Sequence, residues 1–424
     1  MITRHILDNG LIVILKESHA APVVSWWMLY RVGSRNEPTG KTGASHWVEH
    51  MMFKGTERYP PGTLDRDIER LGGSWNAHTS LDHTAYFETM PADRIDLALE
   101  LEADRMVNAI FKPEEVESER TVIISERQGS ENSPTFWLNE EVQAAAFRVH
   151  PYHHVIIGDM TDLKTMTRDD LYNHYRHYYM PNNAIAVAVG AFDSNQLLKR
   201  IQEYYGHIPA GEPPVPFVRV EPEQRGERRV AVQREGNTAY LQFAYQVPAA
   251  TDDDWIKLST LDSILGGPSG PGGGNIGART SRLYRSLVET ELAVNVGGNL
   301  SMTVDPYLYR LHITLRDGRS LEQVEAALDV EVRRLLNEKV SEAELTKAKK
   351  QARAAYAYSN ERVSGQAFWL AYSENIDTYQ LFEDYPERIQ AITADDILDV
   401  AQRYLKPTRR TVGWFVPEVN PGAS

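Results

Sequence analysis

The chain has no cysteine among its 424 residues. That absence excludes a disulfide framework, thiolate metal ligands and a cysteine nucleophile. It fits an oxidising compartment and the cytosol equally. Long apolar runs are missing as well. The longest, Ala184–Ala191, is the size of a strand, well short of the ~20 residues of a membrane span. The stretch MITRHILDNGLIVILKES alternates and is followed by charge, unlike a secretory signal. Basic charge is in deficit: 45 Lys and Arg against 59 Asp and Glu give −14 at pH 7. A general nucleic-acid binder would carry the opposite sign. Such acidity attracts basic peptides at long range and is also ordinary for a soluble protein. With 42% hydrophobic and 25% charged residues, the composition excludes global disorder, collagen and coiled coil.

Prolines and charges concentrate in GHIPAGEPPVPFVRVEPEQRGER, residues 206–228. This reads as an extended linker that divides the chain nearly in half. The halves follow one pattern. Each opens with two alternating strands, Leu11–Lys16 and Val24–Val32 in the first, Arg229–Gln233 and Tyr240–Val247 in the second. Each continues through helices, a strand ending in an aromatic residue and a helix pair, and closes on a strand after proline. Period-2 strands between amphipathic helices indicate α+β, and the shared order indicates an internal duplication. The expected boundaries are residues 1–208 for the first domain, 209–228 for the linker and 229–424 for the second domain.

The most informative segment is GASHWVEHMMFKGT, residues 43–56. On a helix, His46 and His50 lie on one face at i and i+4, with Glu49 beside them. Two imidazoles next to a carboxylate base form a zinc-hydrolase arrangement, the inverted form of the familiar zinc-protease helix. The plain alternative is two surface histidines on an amphipathic helix. A catalytic zinc takes a third protein ligand. The acidic helix 113–127 (PEEVESERTVIISER) offers candidates, among them Glu119 and Glu126, two turns apart on one face. Its apolar Val122–Ile124 stretch suggests that this end is buried. The residues alone do not choose between the carboxylates.

With these motifs, GGSWNAHTSLDHTAYF, HPYHHVIIG, YYMPNNAIAVAVG, LDSILGG and SRLYRSL, nearly the whole chain resembles the pitrilysin and mitochondrial processing peptidase family. The similarity is to its bacterial members of about this size. The resemblance implies an α+β chain of two homologous domains, each a mostly antiparallel sheet covered by helices, together forming half of a clamshell. It implies one Zn2+ per chain held by His46, His50 and Glu126, with Glu49 as general base and Glu119 supporting the site. It also implies a substrate-binding edge strand at residues 74–79. There Ser74, Asn76 and Ala77 would meet an extended, unfolded peptide, with Asn76 and Ala77 nearest the zinc. His78 shares this strand, but three ligands are already assigned. Asp82 could orient an imidazole, though an ordinary strand-end Asp is the plainer reading.

Two departures from the family pattern stand out. The second half has no metal motif, with Ala355 opposite Glu126, as the family's inactive domain implies. Active members also carry an Arg and a Tyr seven residues apart in the second half. Here Val288 and Asn295 stand at those positions, or Val294 with a one-residue gap. Arg282, Tyr284 and Arg285 belong to the preceding helix motif. The resemblance therefore points to a heterodimer whose paralogous partner lacks HxxEH and supplies the Arg/Tyr pair. A slow homodimer and a non-catalytic peptide-binding or scaffold subunit are the alternatives. The glycine-rich stretch 266–277 lacks a phosphate-loop ending. It resembles a substrate-handling segment of the family's non-catalytic subunits, or is a flexible linker. Exported bacterial members point to the periplasm, with the cytoplasm as the alternative.

Overall fold

The computed structural model describes residues 1–215, 219–267 and 278–418. Positions 216–218 of the expected linker and 268–277 of the glycine-rich stretch lie outside the described residues. The alternating segments become strands β1 (Ile2–Ile6), β2 (Ile12–Glu17), β3 (Val23–Tyr30), β4 (Ser74–Thr79), β5 (Thr84–Pro91) and β6 (Ala184–Gly190) of one sheet. A second sheet holds β7 (Arg228–Glu235), β8 (Tyr240–Val247), β9 (Ala293–Leu300), β10 (Tyr307–Leu315) and β11 (Arg410–Glu418). Strand ends differ from the expected ones by a residue or two.

The sheet orders are β1-β2-β6-β3-β5-β4 and β7-β11-β8-β10-β9. Without β1 they superimpose step for step. In each, the first strand runs parallel to the last strand of its half (β2 with β6, β7 with β11), and the remaining pairs are antiparallel. The duplication is thus a repeated topology. β1 is an addition that the sequence reading missed. Its segment ITRHI is short and mostly polar, and it pairs as an outer edge.

The chain divides into two compact units, neither of them contiguous. One comprises Met1–Gln128, His154–Arg219 and Asn360–Phe382; the other comprises Gly129–His153, Val220–Ser359 and Glu383–Ser424. Each half of the sequence thus gives one helix to the other half's sheet. A division at the linker misses both exchanges, because composition does not record which sheet a helix covers.

In the first unit, β3 and β6 are buried on both faces, which explains their nearly unbroken apolar runs. One face carries Trp26, Met28, Tyr30 and Tyr86 into the main core. The other packs Trp27, Leu29, Ile185 and Val187 against Ala367, Leu370 and Ala371 of helix Val363–Ile376. Small residues on that helix allow close approach. In the second unit, helix Pro134–Ala146 crosses the sheet at Gly413. A Cβ there would stand 2.3 Å from Val142 Cγ2 and 2.8 Å from Leu138 Cδ1. Its free carbonyls at Ala145 and Ala146 accept from Arg228 at 2.7 and 2.8 Å, and Gln246 also donates to Ala146.

Candidate metal centre

The segment carrying the two histidines folds into helix Ala44–Met51 in the first unit. Trp47, Val48 and Met51 are fully buried and fix its inner face. The helix starts at Gly43 with φ +88° and no side-chain cap. A Cβ there would meet Ile157 O at 2.6 Å, so the position needs glycine twice over. The missing cap comes from Glu37. Its Oε2 accepts from Gly43 N at 2.8 Å and its Oε1 from Ser45 N at 2.7 Å. Burial pushes the Glu37 carboxyl up to about 8, against those backbone hydrogen bonds. Thr42 donates through N and Oγ1 to Asp162. Arg127 of helix Pro113–Glu131 donates to Gly158 O at 2.7 Å. The two helices that carry the candidate ligands are thereby tied to one segment, residues 157–162.

His46 Nε2 and His50 Nε2 stand 3.9 and 3.6 Å from Glu126 Oε2. Among the described residues these three form a group able to hold a metal ion, with ligand atoms within 4.8 Å of one another. Two imidazoles and a carboxylate are the donor set of a hydrolytic zinc site, and such spacing suits bonds of about 2.0–2.2 Å. The residues fit the ion. His50 Nδ1 meets Glu119 Oε2 at 3.1 Å. An Nδ1–H donated there leaves the Nε2 lone pair facing Glu126. Glu119 in turn bonds Lys54 Nζ through its other oxygen.

The electrostatics separate the histidines. Burial, then the neighbouring His50, pushes His46 down to about 4. For His50, burial is outweighed by the Glu119 hydrogen bond and the charges of Glu126, Glu119 and Glu49, so its value rises. Burial would raise Glu119, but its bonds to His50 and Lys54 hold it below the ordinary value. Glu49 is 8% exposed. Its carboxyl is raised by burial, partly offset by a hydrogen bond from Thr79 Oγ1 to Oε2 at 2.5 Å.

One expectation about the acidic helix is corrected. Its far end is not buried: Val122 is 41% exposed, and the Glu126 side chain is 43% exposed against 7% for Glu119. Of that apolar triplet Ile123 is buried, and Ile124 packs half-buried against the core.

Strand β4 forms the edge of its sheet. Trp75 and Ala77 turn toward the main core, and Thr79 toward Glu49. By alternation, Ser74, Asn76 and His78 face the other way. Ser74 and Asn76 are exposed, and Asn76 Oδ1 accepts from Ala77 N at 2.8 Å. Their side chains therefore point away from Glu49, which leaves the strand backbone as the part that a peptide could meet. His78 contacts His83 at 3.0 Å and stands apart from the three candidate ligands. Asp82 lies 3.8 Å from Arg35. In the second unit, Val288 ends the turn Tyr284–Val288, and Asn295 is exposed on β9.

Sequence reasoning missed Glu37, Lys54 and Thr79. Lys54 stands inside the quoted motif, and Thr79 inside the expected substrate strand, two residues beyond Ala77. Their roles depend on partners far along the chain.

The model of the insulinase family (peptidase family M16) matches residues 12–160, and the model of the peptidase M16 inactive domain matches residues 165–352. The zinc protease PqqE of Helicobacter pylori is 30% identical over 97% of this chain and 92% of its own. A probable mitochondrial-processing peptidase subunit beta of Arabidopsis thaliana is 26% identical over 94% of this chain and 75% of its own. The crystal structure of a protease from Helicobacter pylori aligns with a TM-score of 0.93 at 28% identity, covering 98% of this chain and 99% of that one.

Proposed function

Because the chain belongs to the M16 family of peptidases, we propose that it is a zinc-dependent endopeptidase acting on extended peptides. The observation that carries this reading is the convergence of His46, His50 and Glu126 beside the buried, hydrogen-bonded Glu49. Zinc in that donor set supplies Lewis acidity to a water and to the scissile carbonyl. Glu49 takes the proton of the attacking water and returns it to the leaving amine. Thr79 aims the carboxylate, and Glu119 with Lys54 fixes the His50 ring. The open edge of β4 around Ser74, Asn76 and Ala77 takes the peptide as an added strand through its backbone groups. That mode of binding selects unfolded segments.

Val288 and Asn295 offer neither a cation nor a phenol. Loss of one oxyanion donor costs about 10²–10³ in rate. We therefore propose that the working enzyme is a heterodimer, in which this chain brings zinc and Glu49, and a paralogue without HxxEH brings an Arg/Tyr pair. The same two residues favour one second reading, a non-catalytic peptide-binding or scaffold subunit. The proposed compartment is the periplasm, after the exported bacterial members that the sequence resembles, and cell fractionation checks it. No described helix is long and apolar enough to cross a membrane.

The test is hydrolysis of an unstructured fluorogenic peptide by this chain alone and mixed with its paralogue. Activity only in the mixture, abolished by Glu49→Gln, supports the divided site. Full activity of the chain alone overturns the division. Silence in both, with zinc bound, favours the second reading.

A further inference from the structure

The face of β4 turned away from Glu49 carries a second polar device. His78 Nε2 and His83 Nε2 meet at 3.0 Å. Such a contact needs one N–H and one lone pair, so the two facing nitrogens share a single proton. On the far side of His83, Ser80 Oγ lies 2.9 Å from Nδ1 and takes the backbone N–H of Asp82 and His83 at 3.3 and 3.2 Å, which holds the His83 ring in place.

The surroundings are aromatic. Trp27 on β3, Phe87 on β5 and Phe368 on helix Val363–Ile376 stand 6.1, 6.1 and 6.0 Å from the His78 ring. Tyr372 of the same helix stands 5.1 Å from His83. The titratable or charged groups facing the pair are Tyr372, Asp82 in the adjoining turn, and Arg35, which lies 3.8 Å from Asp82. Burial pushes the protonation of both imidazoles down. The effect is greater for His83, where the charge of His78 adds to it.

We infer that His78 and His83 are positioning residues for Glu49: sharing one proton they pin β4, and a second proton, setting N–H against N–H, releases it in acid. Coupling to the base is direct, because Thr79 follows His78 and bonds Glu49 from the opposite face of the strand. The consequence for catalysis rests on the reading of Glu49 as the base. The release of the strand does not.

Amide hydrogen exchange of the full chain tests the release, read over residues 74–83 between about pH 7 and pH 5 and corrected for intrinsic rates. If opening takes up one proton, the opening constant rises about tenfold per pH unit. In His78→Gln the amide can turn its oxygen to a doubly protonated His83, which removes the opposition. Its acceleration is then smaller, because the closed strand can hold the proton as well as the open one. His78→Phe, which lacks the hydrogen bond, exchanges fast at both ends of the range. If the wild-type strand does not accelerate, or accelerates identically in His78→Gln, the inference is overturned. In the peptidase assay, His78→Gln extends kcat toward acid pH and, because β4 also takes the peptide, extends kcat/KM with it. Loss of the kcat effect alone, with the exchange pattern intact, indicts the reading of Glu49 and not the pair.

Discussion

Replacing Thr79 with valine keeps the shape of the side chain and deletes one hydrogen bond, the 2.5 Å contact to Glu49 Oε2. The acceptor is a carboxylate 8% exposed, so water replaces the lost donor poorly. A hydrogen bond to a buried charged group is worth about 1.5–3 kcal/mol, or roughly 10–100-fold in rate if it holds the base in its reacting position. The variant also changes the titration. Burial raises the Glu49 carboxyl and the Thr79 bond lowers it, so deletion leaves burial less opposed. Glu49 must be ionised to accept a proton, and the acid limb of kcat/KM therefore moves to higher pH in Thr79→Val. Thr79→Ser restores the hydroxyl and with it most of the rate and the wild-type limb. The assay is the pH dependence of peptide cleavage, with zinc content measured on the same samples. A Thr79→Val profile that superimposes on wild type, with zinc retained, refutes the role given to this bond.

Lys54→Met removes the cation that bonds Glu119. Freed from it, Glu119 orients His50 less well, and zinc affinity measured by chelator competition should fall about tenfold. Lys54→Arg should retain most of the affinity, and an unchanged affinity in Lys54→Met contradicts this role. Glu37 gives a pH signature of stability. Its folded value is raised to about 8 by burial, against about 4.3 in an unfolded chain. Between those values the folded state keeps a proton that the unfolded chain has lost. Stability therefore declines as pH rises through that window, with a limiting slope of about 1.4 kcal/mol per pH unit. Urea unfolding of Glu37→Gln should lack this part of the slope, and parallel slopes in both proteins contradict the assignment.

The parts of the fold legible in the sequence were those with a local cause. β3 and β6 announce themselves because both faces are buried, and β8 does so for the same reason. His46, Glu49 and His50 are legible because one turn of helix sets their geometry. The duplication followed from the order of elements, and the two sheets repeat it strand for strand. What stayed hidden depends on contacts between distant segments. Helix Pro134–Ala146 is amphipathic whichever sheet it covers, and what ties it to the second, packing at Gly413 and the bonds from Arg228 and Gln246, lies far along the chain. Thr79 and Lys54 are unremarkable in sequence until the fold sets one against Glu49 and the other against Glu119. Val122 misled because an apolar triplet on a helix spreads over more than one face, and one of its three residues is buried.

The central claim is that His46, His50 and Glu126 hold a hydrolytic zinc for which Glu49 is the base. The most direct test compares wild type and Glu49→Gln as zinc-loaded protein, each with its proposed partner, on one fluorogenic peptide. The account predicts one zinc per chain in both and a turnover lower by about 10²–10⁴-fold in Glu49→Gln. Equal turnover by the two proteins, or a wild type that cleaves the peptide without holding zinc, would contradict it.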